Sequence, residues 1–572
     1  MNYQEKYQEW LSNDYFDEAT KEELQSLSGN EKEIEDRFYM DLEFGTGGLR
    51  GVLGAGTNRM NVYTVRKATQ GLANYIIKTA GEEGKRRGVA IAHDSRRMSP
   101  EFCREAALVL NANGIHSYVF DGVRTTPELS FAVRNQGCIA GIVITASHNP
   151  SNYNGYKVYG EDGAQVTYPR DKEIIDEVNQ ITDFSMVKYS SEAGELYHIF
   201  DEKQDTDYIN AIKTQTLDQS VIDAEKDNLK IVYTPLHGTG GRPVLRVLAE
   251  LGYQKVYPVP EQIEPNGEFP TISYPNPEEE KAFEYAIKLA NEVDADLLLA
   301  TDPDSDRLGV MCKTGEKQYF RFTGNMIAPL MFDYIVKKKK ELGNLPANGA
   351  LIYSFVSTKI AKKMAEKENL KVFEVLTGFK YIGEKIKEFE TEKSYEYLYG
   401  FEESYGYLVG THARDKDAVV SAMIVCEMAA YHKSKGRNLK EALDELYKEY
   451  GYFSEATLPL SFPGIEGKDT MAKILSNLRQ NPPKEIDGRK VLEIRDYETC
   501  LITDCSTGKT TPTGMIKSNV LYYVLEDEAW VCARPSGTEP KMKFYYGVKA
   551  DSMEVAETAG KNLEAYLMQL VK

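Results

Sequence analysis

The chain has 572 residues, with 88 acidic and 69 basic side chains and a net charge of −19. That length exceeds what one hydrophobic core organises, so about three to five domains are expected, and the acidic balance argues against nucleic acid or an anionic membrane surface as a main partner. Seven scattered cysteines, without a CxxC pair, indicate neither a disulfide framework nor a zinc site; with no signal-peptide pattern at the start and no apolar run near the ~18 residues of a membrane span, a soluble cytoplasmic protein is expected.

In chain order, three segments share one grammar: an apolar strand, a polar turn, an amphipathic helix, then a second strand. The first has a strand at 89–92, the turn His93-Asp94-Ser95-Arg96, a helix over about 100–113 and a strand at 117–120. The second has a strand at 230–233, the turn Thr234-Pro235-Leu236-His237-Gly238, a helix around 244–251 and a strand at 255–257. The third has a strand at 350–353, a turn over 354–357, a helix around 359–367 and a strand at 371–373. Such units build α/β domains with largely parallel strands. After about residue 452 the pattern changes to close strands at 520–524, 529–533 and 543–548 and a final helix, an α+β layout. The expected domains are 1–205, 206–324, 325–452 and 453–572.

The most informative stretch is Thr145-Ala146-Ser147-His148-Asn149-Pro150, a polar turn after the apolar run 140–144. A strand ending in a sharp turn presents a nucleophile at a sheet edge. The glycines of a hydrolase elbow are missing, since Thr145 and Asn149 stand in their places, which disfavours a serine hydrolase. After a second apolar run, 297–300, Asp302, Asp304 and Asp306 put three carboxylates in five positions. The glycine and glutamate of an EF-hand are replaced by Arg307 and Lys313. Carboxylates crowded into one loop repel unless a cation neutralises them, and oxygen ligands beside a phosphate suit magnesium.

Two segments suit phosphate. Gly45-Thr46-Gly47-Gly48-Leu49-Arg50 joins flexible backbone to a hydroxyl and a guanidinium, and Arg534-Pro535-Ser536-Gly537-Thr538 packs a guanidinium, two hydroxyls and a glycine amide into five residues. Ser506-Thr507-Gly508-Lys509-Thr510 imitates the end of a P-loop, but its first glycine would fall at Thr503, so no P-loop is present. Gly400-Phe401-Glu402-Glu403-Ser404-Tyr405-Gly406 offers carboxylates and a hydroxyl to sugar hydroxyls. Lys157 and Lys416 each suit a phosphate or a proton transfer.

Taken together, GTGGLRG at 45, TASHNP at 145, NGYK at 154, TPLHGTGG at 234, DPDSDR at 302, LTGFK at 376, GFEESYG at 400 and RPSGTEPK at 534 resemble the α-D-phosphohexomutase superfamily, in its longer phosphoglucomutase/phosphopentomutase branch. The resemblance implies four domains around a central cleft: three related α/β domains with mixed sheets and a mobile C-terminal α+β domain. It implies that Ser147 carries a phosphoryl group, with Asp302, Asp304 and Asp306 holding Mg2+ against it together with Ser147, and Arg307 steadying that end. His148, Lys157 and Arg50 match positions linked to proton transfer and transition-state charge, with the general base unassigned among them. Glu402 and Ser404 would grip sugar hydroxyls, and Thr377, Gly378 and Lys380 match a second substrate loop. Lys416 falls where the branch keeps a basic residue, Thr46 and Arg50 belong to the first loop, and Arg534, Ser536, Gly537 and Thr538 would hold the phosphate that is not reacting. Gly47 replaces a serine common in relatives. The implied reaction interconverts glucose 1-phosphate and glucose 6-phosphate through glucose 1,6-bisphosphate. Ribose or deoxyribose phosphates, or a metal-dependent sugar phosphatase, remain open alternatives, and the partners are small sugar phosphates.

Overall fold

The structure is a computed structural model that describes residues 2–43, 48–462, 465–535 and 541–570. Three of its sheets repeat one topology. In the first, Val89–His93 is flanked in parallel by Ser117–Val119 on one side and Ala140–Ile144 on the other. In the second, Ile231–Thr234 is flanked in parallel by Val256–Pro258 and Leu297–Thr301. In the third, Gly349–Ser354 is flanked in parallel by Lys371–Val375 and Glu396–Glu402. The central strands are buried at every position, as expected of strands covered on both faces.

In each sheet the third parallel strand turns back into an antiparallel neighbour: Tyr153–Gly160, Leu308–Gly315 and Gly406–Val409. The sheets are therefore mixed rather than largely parallel, because a short turn closes an antiparallel pair and a parallel one needs a crossover. The three turns hold Ser147, the aspartates and Glu403-Ser404. Each contains one non-glycine residue in the left-handed region: Ser147 (φ 52), Ser305 (φ 56) and Tyr405 (φ 63). All three turns open at the carboxyl ends of parallel strands, where α/β sheets bind ligands.

The second and third sheets share one continuous core, which runs from Tyr208 to Phe453. Its axis is the helix Ala418–Ser434, buried at every position from Ala418 to His432. A helix apolar all round belongs inside a protein. Asp417 caps it, accepting from Val419 N and Val420 N, and so fixes the adjacent Lys416.

Before the first sheet, the helices Tyr3–Ser12, Glu18–Ser26 and Glu31–Phe38 pack Trp10, Phe16 and Phe38 against Tyr63. The C-terminal unit is an antiparallel sheet in the order Tyr452–Ser461, Lys541–Ala550, Trp530–Pro535, Leu521–Leu525, Arg489–Asp496, Leu501–Asp504, Thr510–Pro512. Ile465–Gln480 and Met553–Leu570 are its helices. All seven cysteines are free thiols. Among the described residues, no helix is long and apolar enough to cross a membrane.

Candidate active site

Ser147 is buried, and its Oγ donates to Asp302 Oδ2 at 2.9 Å, 155 residues away in the chain. The same Oγ lies 3.1 Å from His148 Nδ1. With the hydroxyl proton directed to Asp302, His148 meets Oγ as an Nδ1–H donor. Burial, reinforced by the cations Arg307, Arg50, Lys543 and Arg96, holds the imidazole well below its usual pKa, so it is neutral. Its ring stands edge-on to Tyr274, with centroids 5.4 Å apart.

Asp302, Asp304 and Asp306 are buried, and one ligand oxygen from each lies within 4.8 Å of the others. The loop ties up part of each carboxylate and leaves the rest. Asp302 Oδ1 accepts from the backbone N–H groups of Asp306 and Arg307 at 3.1 and 3.0 Å. Asp304 Oδ2 accepts from Thr126 Oγ1 at 2.9 Å and Lys157 Nζ at 2.8 Å. Asp306 Oδ2 is 3.1 Å from Lys416 Nζ and 3.5 Å from Lys157 Nζ. Asp304 Oδ1 and Asp306 Oδ1 are buried without a hydrogen-bond partner among the described residues. Arg307 Nε comes no nearer to Asp306 Oδ1 than 3.9 Å; buried carboxylate oxygens without hydrogen bonds are costly unless a cation sits close to them, so this all-oxygen donor set fits a hard divalent metal.

Charge coupling follows the same geometry. Burial and repulsion from Asp304 and Asp306 push the Asp302 carboxyl well up. Burial works against the charge of Asp304 too, yet Lys157 holds it below the usual carboxylate range. Lys157, despite burial, is kept above its ordinary value by Asp304 and Asp306. Its strand, Tyr153–Gly160, returns directly from the Ser147 turn, which is how NGYK reaches the aspartates.

The aspartate loop is anchored from every side. Thr126 N donates to Asp304 O at 2.9 Å, Thr239 N to Pro303 O at 2.8 Å, and Ala418 N, at the start of the central helix, to Ser305 O at 3.1 Å. Thr239 belongs to the TPLHGTGG turn. There a Cβ on Gly238 would fall 2.4 Å from Pro303 Cα, so only glycine allows this approach. Leu308 N donates to Tyr405 O at 3.0 Å, joining the aspartate turn to the glutamate turn.

The remaining expected residues surround these. Arg50, on Gly48–Val52, makes a long contact of 3.4 Å from NH1 to Asn149 Oδ1. Arg307 NH1 donates to Glu278 Oε1 at 2.6 Å. Glu402 is buried and accepts from Gly378 N at 2.6 Å, so the 376–380 and 400–406 segments meet directly. Thr377 and Ser404 are half-buried beside them. Lys380 is buried 3.9 Å from Asp171, and burial lowers its pKa, as does Arg534. Arg534 closes the strand Trp530–Pro535 in register with Lys543. Thr46, Ser536, Gly537 and Thr538 lie outside the described residues.

Several contributors went unread in the sequence. Lys543 is one: it pairs in register with Arg534, and burial and the nearby Arg307 cation lower its pKa. Strand alternation with Met542 and Phe544 was the available signal. Thr126 and Glu278 carried none. Asp94 and Arg96 were visible only as a polar turn after a strand.

Three segments match models described as phosphoglucomutase/phosphomannomutase α/β/α domain I, domain II and domain III, at residues 41–184, 206–315 and 323–450. A phosphoglucomutase of Staphylococcus epidermidis is 36% identical over 552 residues, covering 96% of both chains. One of Staphylococcus aureus is 37% identical over 537 residues, covering 92% of this chain and 93% of its own. In fold, the chain is similar to a solved phosphoglucomutase/phosphomannomutase family protein from Burkholderia thailandensis, with a TM-score of 0.65, 19% identity and coverage of 92% and 97%.

Proposed function

Since the chain belongs to the phosphoglucomutase/phosphomannomutase family, we propose that it interconverts α-D-glucose 1-phosphate and glucose 6-phosphate with Ser147 as the phosphoryl carrier. It is a phosphosugar mutase. The observation that carries the residue-level reading is the meeting of the Ser147 hydroxyl with three buried aspartates.

In the proposed cycle, phospho-Ser147 faces the free hydroxyl of a bound sugar monophosphate. The bond from phosphorus to Ser147 Oγ breaks, a bond to the sugar oxygen forms, and the proton of the sugar hydroxyl is relayed to the departing Ser147 Oγ. The product is glucose 1,6-bisphosphate, which turns over in the cleft and returns its other phosphate to Ser147. Lys157 is the best-placed proton relay, because it alone of Arg50, His148 and Lys157 is ion-paired to Asp304 and Asp306; those carboxylates keep it protonated, so it gives up a proton as it takes one. Neutral His148 holds Oγ by its Nδ1–H. Arg307 and Arg50 balance charge on the transferring group, and such positioning and charge balance supply most of the catalysis in phosphoryl transfer.

Glu402 and Ser404 hold sugar hydroxyls, Thr377, Gly378 and Lys380 bind the sugar beside them, and Arg534 with Ser536, Gly537 and Thr538 takes the passive phosphate. Thr46 and Lys416 also bind substrate. That two Staphylococcus relatives are named phosphoglucomutase supports glucose phosphate as the substrate rather than a pentose phosphate. Mg2+ would be held by Asp302, Asp304 and Asp306 beside Ser147, and when bound it neutralises charge on the phosphoryl group.

Ser147→Ala tests the reading. The variant should lose mutase turnover and the capacity to take up phosphate from labelled glucose 1,6-bisphosphate. Substantial turnover in the purified variant would remove Ser147 from the cycle.

A further inference from the structure

We infer that Arg96 is a positioning residue for phosphoryl transfer, a buried guanidinium that holds the Ser147 turn against the aspartate loop. The inference rests on the reading of Ser147 as the phosphoryl carrier. Arg96 is fully buried. Its guanidinium is spent on one turn: NH2 donates to the carbonyls of Ser147 and Asn149, and NH1 to those of Pro150 at 2.7 Å and Tyr153 at 3.2 Å. A planar fork of fixed donors can gather four carbonyls of one turn in this way, and the single ammonium of lysine cannot.

The turn needs such a hold. Ser147 sits at φ 52, a conformation that costs an L-residue roughly 1–2 kcal/mol and persists only where the surroundings fix it. Its carbonyl is one of the groups Arg96 grips. Asp94 sets the guanidinium: its Oδ2 lies 3.2 Å from Arg96 Nε, while its Oδ1 accepts from Arg96 N and Ser99 Oγ, both at 2.9 Å.

The other face of Arg96 meets the second sheet's unit. The guanidinium carbon lies 5.0 Å from the centroid of the Phe269 ring, and Arg96 bridges backbone to Gly267, where a Cβ would come within 2.6 Å of Arg97 N and Ser95 O. Beside Gly267, Asn266 N donates to His237 O at 3.0 Å, which ties this contact to the TPLHGTGG turn. Thr271 Oγ1 is 2.9 Å from His237 Nε2, and in the same TPLHGTGG turn Thr239 meets Ser305 Oγ at 3.1 Å and donates to Pro303 O. Arg96 thus joins the two loops whose separation sets the 2.9 Å contact of Ser147 with Asp302. It also gives the TPLHGTGG turn a role.

The test compares Arg96→Lys with wild type and Ser147→Ala. Arg96→Lys should fold, bind glucose 1-phosphate with unchanged KM, and lose kcat and the rate of Ser147 phosphorylation by glucose 1,6-bisphosphate together. The loss should be about tenfold to a hundredfold, the scale of an ångström's misplacement. A folded Arg96→Lys with wild-type kcat overturns the inference, as does one whose KM and kcat worsen in parallel, which marks general loosening. If Arg96→Lys does not fold, Phe269→Leu carries the test. About a threefold fall in kcat at constant KM supports the inference, and an unchanged kcat overturns it. Activity surviving in Ser147→Ala would instead overturn the carrier role itself.

Discussion

Ser147 Oγ donates to Asp302 Oδ2 at 2.9 Å, and the two residues belong to equivalent turns of two different sheets. The contact depends on how those sheets are docked. The aspartate loop is bonded by Thr126, Thr239 and Ala418 from three separate segments, so its position is over-determined. A rigid set of oxygens in which two Oδ1 atoms accept no hydrogen bond among the described residues is preorganised for a metal rather than assembled by it.

Metal removal should therefore stop the reaction while leaving the fold in place. Treatment with EDTA should lower turnover by about a hundredfold or more, the several kcal/mol a metal supplies to a developing anionic charge, and added Mg2+ should restore it. Asp304→Asn should raise the Mg2+ concentration for half-maximal activity at least tenfold, roughly the scale of losses at metal sites. Circular dichroism of the stripped protein should match the loaded form, and full activity without divalent metal would refute the assignment.

His148 should not titrate in the working range. Burial first, then four nearby cations, hold it well below its ordinary 6.5. As pH falls below that value the unfolded chain takes up a proton the folded site refuses, so this group's contribution to stability is lost toward acid pH. The kcat profile between pH 5.5 and 9 should keep its shape in His148→Gln, with an overall fall of about tenfold for one lost donor to Oγ. An acid limb near pH 6.5 that vanishes in the variant would make His148 a titrating base.

Much of this arrangement was legible in the sequence. Motif loops after apolar runs mark the carboxyl ends of strands, so the grammar around 89, 230 and 350 located three sheets, and the runs at 140–144 and 297–300 marked the turns of Ser147 and the aspartates. Less legible was whatever depends on packing between distant segments. The antiparallel return strands, including the one that carries Lys157, lacked alternation because both faces are buried. The helix Ala418–Ser434 is apolar on all sides and shows no helical stripe, so the core shared by the second and third sheets had no sequence signature. Arg96 and Thr126 act through backbone carbonyls and a single carboxylate oxygen, and no spacing rule encodes such contacts.

Glu402 gives a second pH dependence. Burial lifts its carboxyl from 4.5 to about 7, with Glu403 adding to the rise and Lys416 opposing it. Its contribution to stability is full below pH 4.5 and lost as pH rises through about 7. An ionised carboxylate accepts sugar hydroxyls better than a neutral acid, so KM for glucose 1-phosphate should fall as pH rises across this range. The substrate phosphate titrates near pH 6 as well, so the informative quantity is the difference between wild type and Glu402→Gln. Identical KM profiles for the two proteins would exclude Glu402 from sugar recognition.

The C-terminal sheet is joined to the third sheet through Lys359. Its ammonium pairs with Glu374 at 3.0 Å and lies 5.5 Å from the Tyr353 ring and 5.7 Å from the Tyr522 and Trp530 rings. Although burial opposes it, Lys359 holds the Glu374 carboxyl down to about 2. That stabilisation is present above pH 4.5, the carboxyl's ordinary value, and is lost as pH falls through about 2. Lys359→Met keeps the apolar stem but leaves Glu374 with only the longer pair to Arg495, at 3.6 Å. At pH 7 the variant should be less stable by about 2–3 kcal/mol, toward the low side of a broken buried pair because both side chains keep some exposure. The loss should shrink in Lys359→Met/Glu374→Gln, where no charge is stranded. Equal stability of the single variant and wild type in urea would show that the ion pair adds nothing to apolar contacts such as those of Phe355 with Tyr497 and Tyr522.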